Sequence, residues 1–179
     1  MVAMCSTLLS NANEGSSFIP KKEIITINDV KEGQSLIIKD LNGVILYKEL
    51  IKKSGNYSKA FDLTDLPNGD YFFEMDKDME IQTIPFNVVS NKVTFKKVKE
   101  TIIYKPHVRI KNNYVFINKL ALDKEPLDVK IYSEDDQLIY SEKITNTKTI
   151  EKAYKLSLNA NYRMVLICNG REYYKKIRL

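Results

Sequence analysis

The chain repeats itself once. Ile45-Leu46-Tyr47 and Leu138-Ile139-Tyr140 stand 93 positions apart, as do Phe61-Asp62-Leu63 and Tyr154-Lys155-Leu156. Tyr71 and Tyr162 are separated by 91, and Ile84 and Phe86 find Ile177 and Leu179 at 93 again. Same-type residues recurring at a nearly fixed offset through four segments mark a duplicated unit.

Each copy is a series of short β-rich runs bounded by turn residues. The expected strands lie at 24–27, 35–39, 44–49, 57–63, 70–76, 80–89 and 92–98, then at 108–110, 114–118, 127–132, 137–143, 149–158, 162–168 and 171–179. Asn42-Gly43 and Asn169-Gly170 read as tight hairpins, because Asn-Gly accepts the positive φ of a type I′ turn, and Ser90-Asn91 reads as another tight turn. No stretch shows a helical period with caps. About seven strands per copy at this spacing is an immunoglobulin-like pattern. The fold expected is therefore all-β, two tandem immunoglobulin-like β-sandwich domains over 21–100 and 101–179, joined near 100–106 and preceded by a leader and lead-in over 1–20. A copy of roughly 80 residues sits near the lower limit for a stable core without disulfides. Its aromatics therefore matter, and Tyr47, Phe61, Tyr71, Phe73, Tyr140, Tyr154 and Tyr162 are the core candidates.

Charge divides with the repeat. Residues 1–91 carry 9 Lys/Arg against 13 Asp/Glu, a net −4; residues 92–179 carry 19 against 10, a net +9. That asymmetry favours self-association or an anionic partner for the second half. The first twelve residues are uncharged and small or apolar, with Ser10 and Ala12 placed like the −3 and −1 positions of a signal-peptide cleavage site; Cys5 as a lipidated residue is the rival reading. No run has the ~20 apolar residues of a transmembrane helix. After cleavage near Ala12, Cys168 is the remaining thiol, in phase with Tyr162, Met164 and Leu166, where it reads as a small buried hydrophobe.

The segments LIIKDLNGVILYKEL and FDLTDLPNGDYFFEM resemble the C-terminal sorting domain of the type IX secretion system. Asp40 and Gly43 match that family's turn; Leu63, Leu66, Pro67, Gly69 and Tyr71 match its second signature. In the second copy, Asn169, Gly170 and Lys175-Lys176 match, whereas 158–162 has neither the Pro nor the Gly. The resemblance implies an immunoglobulin-like sandwich secreted by, or attached to the surface of, a Gram-negative bacterium.

Catalytic apparatus is not expected. His107 is the lone histidine, no nucleophile-elbow motif accompanies it, and it reads as structural. Asp76, Asp78 and Glu80, and the run 134–136, read as solvated acidic turns rather than Ca²⁺ loops, since the EF-hand glycine and distal Glu are missing. No phosphate-cradling glycine loop is present, and no cofactor is expected. One strongly basic stretch, 92–111, interleaves aromatics with Lys96, Lys97, Lys99, Lys105, Arg109 and Lys111. These six form the candidate binding surface for a protein or glycan at the cell envelope; nucleic acid does not fit an exported protein. The expected function is a non-catalytic secreted or cell-surface module for interaction, adhesion or sorting. The alternatives are a carbohydrate-binding module using Tyr57, Tyr114 or Tyr173 as stacking platforms with the basic strand face, and an unrecognised hydrolase.

Overall fold

The computed structural model describes residues 22–96 and 100–179, so the leader, Cys5, the cleavage site at Ala12 and the lead-in lie outside the described residues. Every regular element described is a strand. The first half contains β1 (Glu23–Val30), β2 (Ser35–Asp40), β3 (Ile45–Leu50), β4 (Gly55–Phe61), β5 (Gly69–Asp76), β6 (Glu80–Val89), β7 (Lys92–Phe95) and β8 (Thr101–Tyr104). The second contains β9 (His107–Lys111), β10 (Tyr114–Leu120), β11 (Leu127–Ser133), β12 (Leu138–Ile144), β13 (Thr149–Lys155), β14 (Asn161–Cys168) and β15 (Arg171–Arg178).

Alternation decides what each sheet buries. Strand β5 turns Tyr71, Phe73 and Met75 to one side, and β6 turns Ile84, Phe86 and Val88 to meet them. Sheet β3-β2-β5-β6-β7 closes this core against the β1-β4 pair, which contributes Ile25, Ile27 and Phe61. In the second half, sheet β12-β11-β14-β15 faces sheet β13-β10-β9 across Val115, Ile117, Val129, Ile131, Met164 and Leu166. The two buried clusters share no residue.

The repeat extends to the hydrogen-bond ladder. Pairings β1–β4, β2–β3, β2–β5 and β5–β6 recur as β10–β13, β11–β12, β11–β14 and β14–β15, all antiparallel. Details of the hairpins recur too. Asp40 Oδ1 accepts the backbone N–H of Asn42 and Val44 at 2.9 and 2.8 Å, and Gly43 takes φ +83°. The side chain thus organises the turn, and only Gly43 has positive φ, so the loop is not the type I′ turn that Asn42-Gly43 suggests. At the same offset of 93, Ser133 Oγ accepts the N–H of Gln137 and Asp136 takes φ +57°. The hairpins at Ser90-Asn91 and Asn169-Gly170 do have two successive positive φ values.

Both halves also carry a tyrosine corner. Tyr71 Oη donates to the Pro67 carbonyl at 2.8 Å, and Tyr162 Oη donates to the Ser157 carbonyl at 3.3 Å, the tie that pins a sandwich corner. The Tyr71 ring lies beside Gly69, where a Cβ would sit 3.4 Å from its hydroxyl, in ordinary contact. A third duplicated device is a Tyr–Glu–Lys cluster. Glu49 accepts from Tyr47 and Lys59, and Glu142, 93 residues on, accepts from Tyr140 and Lys152. Beside them the ring pairs Tyr47–Phe61 and Tyr140–Tyr154 meet edge-on at 5.5 and 5.3 Å.

Two expectations change. The segment 100–106 is more than a joint: β8 hydrogen-bonds to the stretch of β6 from Glu80 to Thr83, end to end with β7 along one edge. Tyr140, on edge strand β12, is exposed rather than buried: its ring lies outside the second buried cluster, where it meets the half-buried Tyr154 edge-on and its hydroxyl donates to Glu142.

The halves are tied through Glu74, which points away from the Phe73 side of β5 and is almost fully buried. Arg171, at the tip of the β14–β15 hairpin, donates to both carboxylate oxygens at 3.2 and 2.5 Å, and Lys39 donates at 3.1 Å. Burial pushes this carboxyl up, but the Arg171 and Lys39 hydrogen bonds outweigh it and hold it below its ordinary value. A depressed folded pKa stabilises the fold above the unfolded value of about 4.3, and the contribution is lost as pH falls through the folded value. Urea midpoints should therefore fall more steeply below about pH 4.3 for the native chain than for Glu74→Gln; parallel profiles would show that this tie contributes nothing.

Candidate functional site

The ladder distributes the basic stretch over several places. Lys97 and Lys99 lie outside the described residues. Lys96, beyond the end of β7, pairs with Asp70 at 2.5 Å. Lys105 is held by Asp76 and by the Lys77 carbonyl. Arg109 and Lys111 alone come together, on the outward side of β9. One linear run therefore does not make one groove, because β7 and β9 belong to different sheets.

The outer face of sheet β13-β10-β9 gathers those two residues into a larger arrangement. Strand β10 buries Val115 and Ile117, so Tyr114, Phe116 and Asn118 project outward. Register sets Lys111 and Lys155 on either side of Tyr114, Arg109 and Ala153 on either side of Phe116, and His107 and Glu151 on either side of Asn118. The Tyr114 and Phe116 rings stack with centroids 6.2 Å apart and planes 29° apart. Arg109 lies 5.2 Å over Phe116, and Lys155 lies 6.0 Å over Tyr114. Such contacts attract a cation to the ring without neutralising it. Elsewhere many cations meet carboxylates, as in Lys59–Glu49, Lys152–Glu142 and Arg163–Asp136. In the two rows around Tyr114 and Phe116 there is no carboxylate.

Of the three tyrosines considered as sugar platforms, Tyr114 is exposed. Tyr57 donates its hydroxyl to Glu49. Tyr173 packs on the second core, and burial pushes its phenol up to about 12. Lys155 escaped sequence reading: alternation against Tyr154 places it outward, but that β13 lies beside β10 is a long-range fact.

Other candidate groups are structurally engaged. Asp76 faces Lys105, Asp78 faces Lys31 at 2.7 Å and Gln34, and Glu80 faces Lys77 at 3.3 Å. Within 134–136, Asp136 binds Arg163 and Glu134 accepts from Asn161. Among the described residues no three His, Cys, Asp or Glu side chains gather as metal ligands. His107 is exposed, opposite Asn118. Cys168 is a free, buried thiol whose pKa burial raises. A group the sequence did not flag is Lys119, fully buried and paired with Glu125 at 2.5 Å. Among the described residues no helix is long and apolar enough to cross a membrane.

Residues 19–100 match the family model described as "Secretion system C-terminal sorting domain", so the resemblance holds for the first copy. The match covers the turn of Asp40 and Gly43 and the corner of Pro67, Gly69 and Tyr71. Sorting of this kind implies secretion to the cell surface or outside. No curated protein matches the sequence. Among solved structures, a chain titled "Biofilm associated protein - BSP domain" is similar at 11% identity and TM-score 0.29, covering 87% of this chain; this chain spans 27% of that one. A second, titled "Structural basis of neurohormone perception by the receptor tyrosine kinase Torso", is similar at 10% identity and TM-score 0.28, covering 89% of this chain and 68% of its own.

Proposed function

We propose that the chain is an exported, non-catalytic interaction module of the bacterial surface, built as two tandem immunoglobulin-like sandwiches. The observation that carries this reading is the sorting-domain match over residues 19–100. Its signature residues have structural work in the fold: Asp40 and Gly43 form the β2–β3 turn, and Tyr71 ties the corner at Pro67. The first copy supplies the sorting signature. The second, more basic copy supplies a working surface, the outer face of β9, β10 and β13. Engagement of the acidic candidates Asp76, Asp78, Glu80, Glu134 and Asp136 in ion pairs and hydrogen bonds supports a binding role over a chemical one.

Cell fractionation tests this. In its native bacterium the protein should reach the surface or the medium with a mature N-terminus beginning near Asn13. In a strain lacking the type IX translocon it should accumulate in the periplasm. An uncleaved protein in the cytoplasm, or delivery unchanged without the translocon, overturns the reading.

A further inference from the structure

We infer that the outer face of β9, β10 and β13 binds an acidic polysaccharide; this ligand class rests on the surface-module reading. Three cations, Arg109, Lys111 and Lys155, project from one sheet face, and the two rows that hold them contain no carboxylate. Lys111 and Lys155 stand two strand spacings apart, about 9.6 Å, while Arg109 and Lys111 are two residues apart along β9, about 6.8 Å. The charges thus spread over a flat area rather than converging on a pocket. Such spacing suits an extended polymer bearing repeated carboxylates and gives a small anion little to chelate.

The aromatic pair narrows the choice of polymer. A platform for single-stranded nucleic acid offers open ring faces on which bases stack. Here one ring faces the other, and Arg109 and Lys155 lie over the rings. What remains for a ligand is the ring rims and the cations. Rims suit the C–H edges of pyranose rings, and the cations suit uronate carboxylates. The rings also hold two of the three cations in place, which lowers the side-chain entropy lost on binding. Glu151, beside Asn118, bounds the site at its far end.

Isothermal titration of the full chain at low salt tests this, with polygalacturonate as ligand, its fully methyl-esterified form as the uncharged control, and oligo(dT) as the nucleic-acid control. The native chain should bind polygalacturonate, bind the ester far more weakly, and prefer polygalacturonate to oligo(dT). The triple variant Arg109→Gln/Lys111→Gln/Lys155→Gln and the single variant Tyr114→Ala should each weaken binding by about tenfold or more. A triple variant of equal charge change on other exposed strands and loops, Lys52→Gln/Lys92→Gln/Lys176→Gln, should weaken it much less. Unchanged circular dichroism and urea midpoints confirm that each variant folds. The inference is overturned by failure of the native chain to bind, by equal binding of the ester, by tighter binding of oligo(dT), or by equal losses in the two triple variants. An exported protein that fails this titration leaves the surface reading intact; a cytoplasmic protein that passes it overturns only the surface reading.

Discussion

Replacing Phe73 with alanine is expected to cost about 3–5 kcal/mol, as loss of a fully buried phenyl ring does in other cores. Phe73 has no exposed surface and is the hub of the first cluster, with ring centroids 5.1 Å from Phe61, 5.3 Å from Phe86 and 6.4 Å from Phe95. It therefore joins β4, β5, β6 and β7, and no neighbour can fill the space without leaving its own strand face. Whole domains are stable by only about 5–15 kcal/mol, and a unit of this size sits low in that range. The first half of Phe73→Ala should thus be unfolded or close to it at room temperature. A urea titration followed by circular dichroism should show one transition shifted to low denaturant or missing. A loss below about 1 kcal/mol would mean the cluster is not a cooperative core.

The second large effect concerns a charge. Lys119 occupies the inward register of β10 after Val115 and Ile117, and its side chain is fully buried. Its ammonium donates to the Leu120 carbonyl at 2.9 Å and to Glu125 at 2.5 Å. Burial raises the Glu125 carboxyl, and the Lys119 hydrogen bond reverses that and leaves it lowered. Removing one member of a buried pair strands the other charge, at about 3–5 kcal/mol, whereas replacing both members by well-packed apolar residues is often neutral or stabilising. Glu125→Ala should therefore destabilise the second half by about that amount, and Lys119→Met should destabilise it too, by less, because the stranded Glu125 carboxylate keeps some contact with solvent. The double variant should regain most of what Glu125→Ala loses. Midpoints in urea decide it: a double variant that loses as much as the two single variants added together would show that the pair matters as packing and not as charge.

Much of the fold was legible because the chain speaks in period two. Tyr71, Phe73 and Met75 recur at every second position, so the inward face of β5 can be named from sequence. The duplicated offset then adds information, since the β2–β3 turn at Asp40–Val44 is met again at Ser133–Gln137. Reading failed where non-local geometry decides. Tyr140 has the same sequence context as its copy Tyr47, yet it is exposed where Tyr47 packs against its core. Thr101–Tyr104 is short and follows a basic run, and only an open edge of β6 makes it a strand. Lys119 followed the inward alternation faithfully, but a lysine at a core position reads as an interruption until its partner Glu125 is found. The basic stretch was visible as composition. Its partition among Asp70, Asp76 and the β9 face depends on strand order, which composition does not encode.

Amide hydrogen exchange on Phe73→Ala, read by mass spectrometry against the native chain, tests most directly whether each copy closes over its own interior. The account predicts that peptides from β2, β5 and β6 lose protection while those from β10, β11 and β14 keep theirs. Loss of protection throughout both halves together would contradict it, because one shared core would then be holding the entire chain.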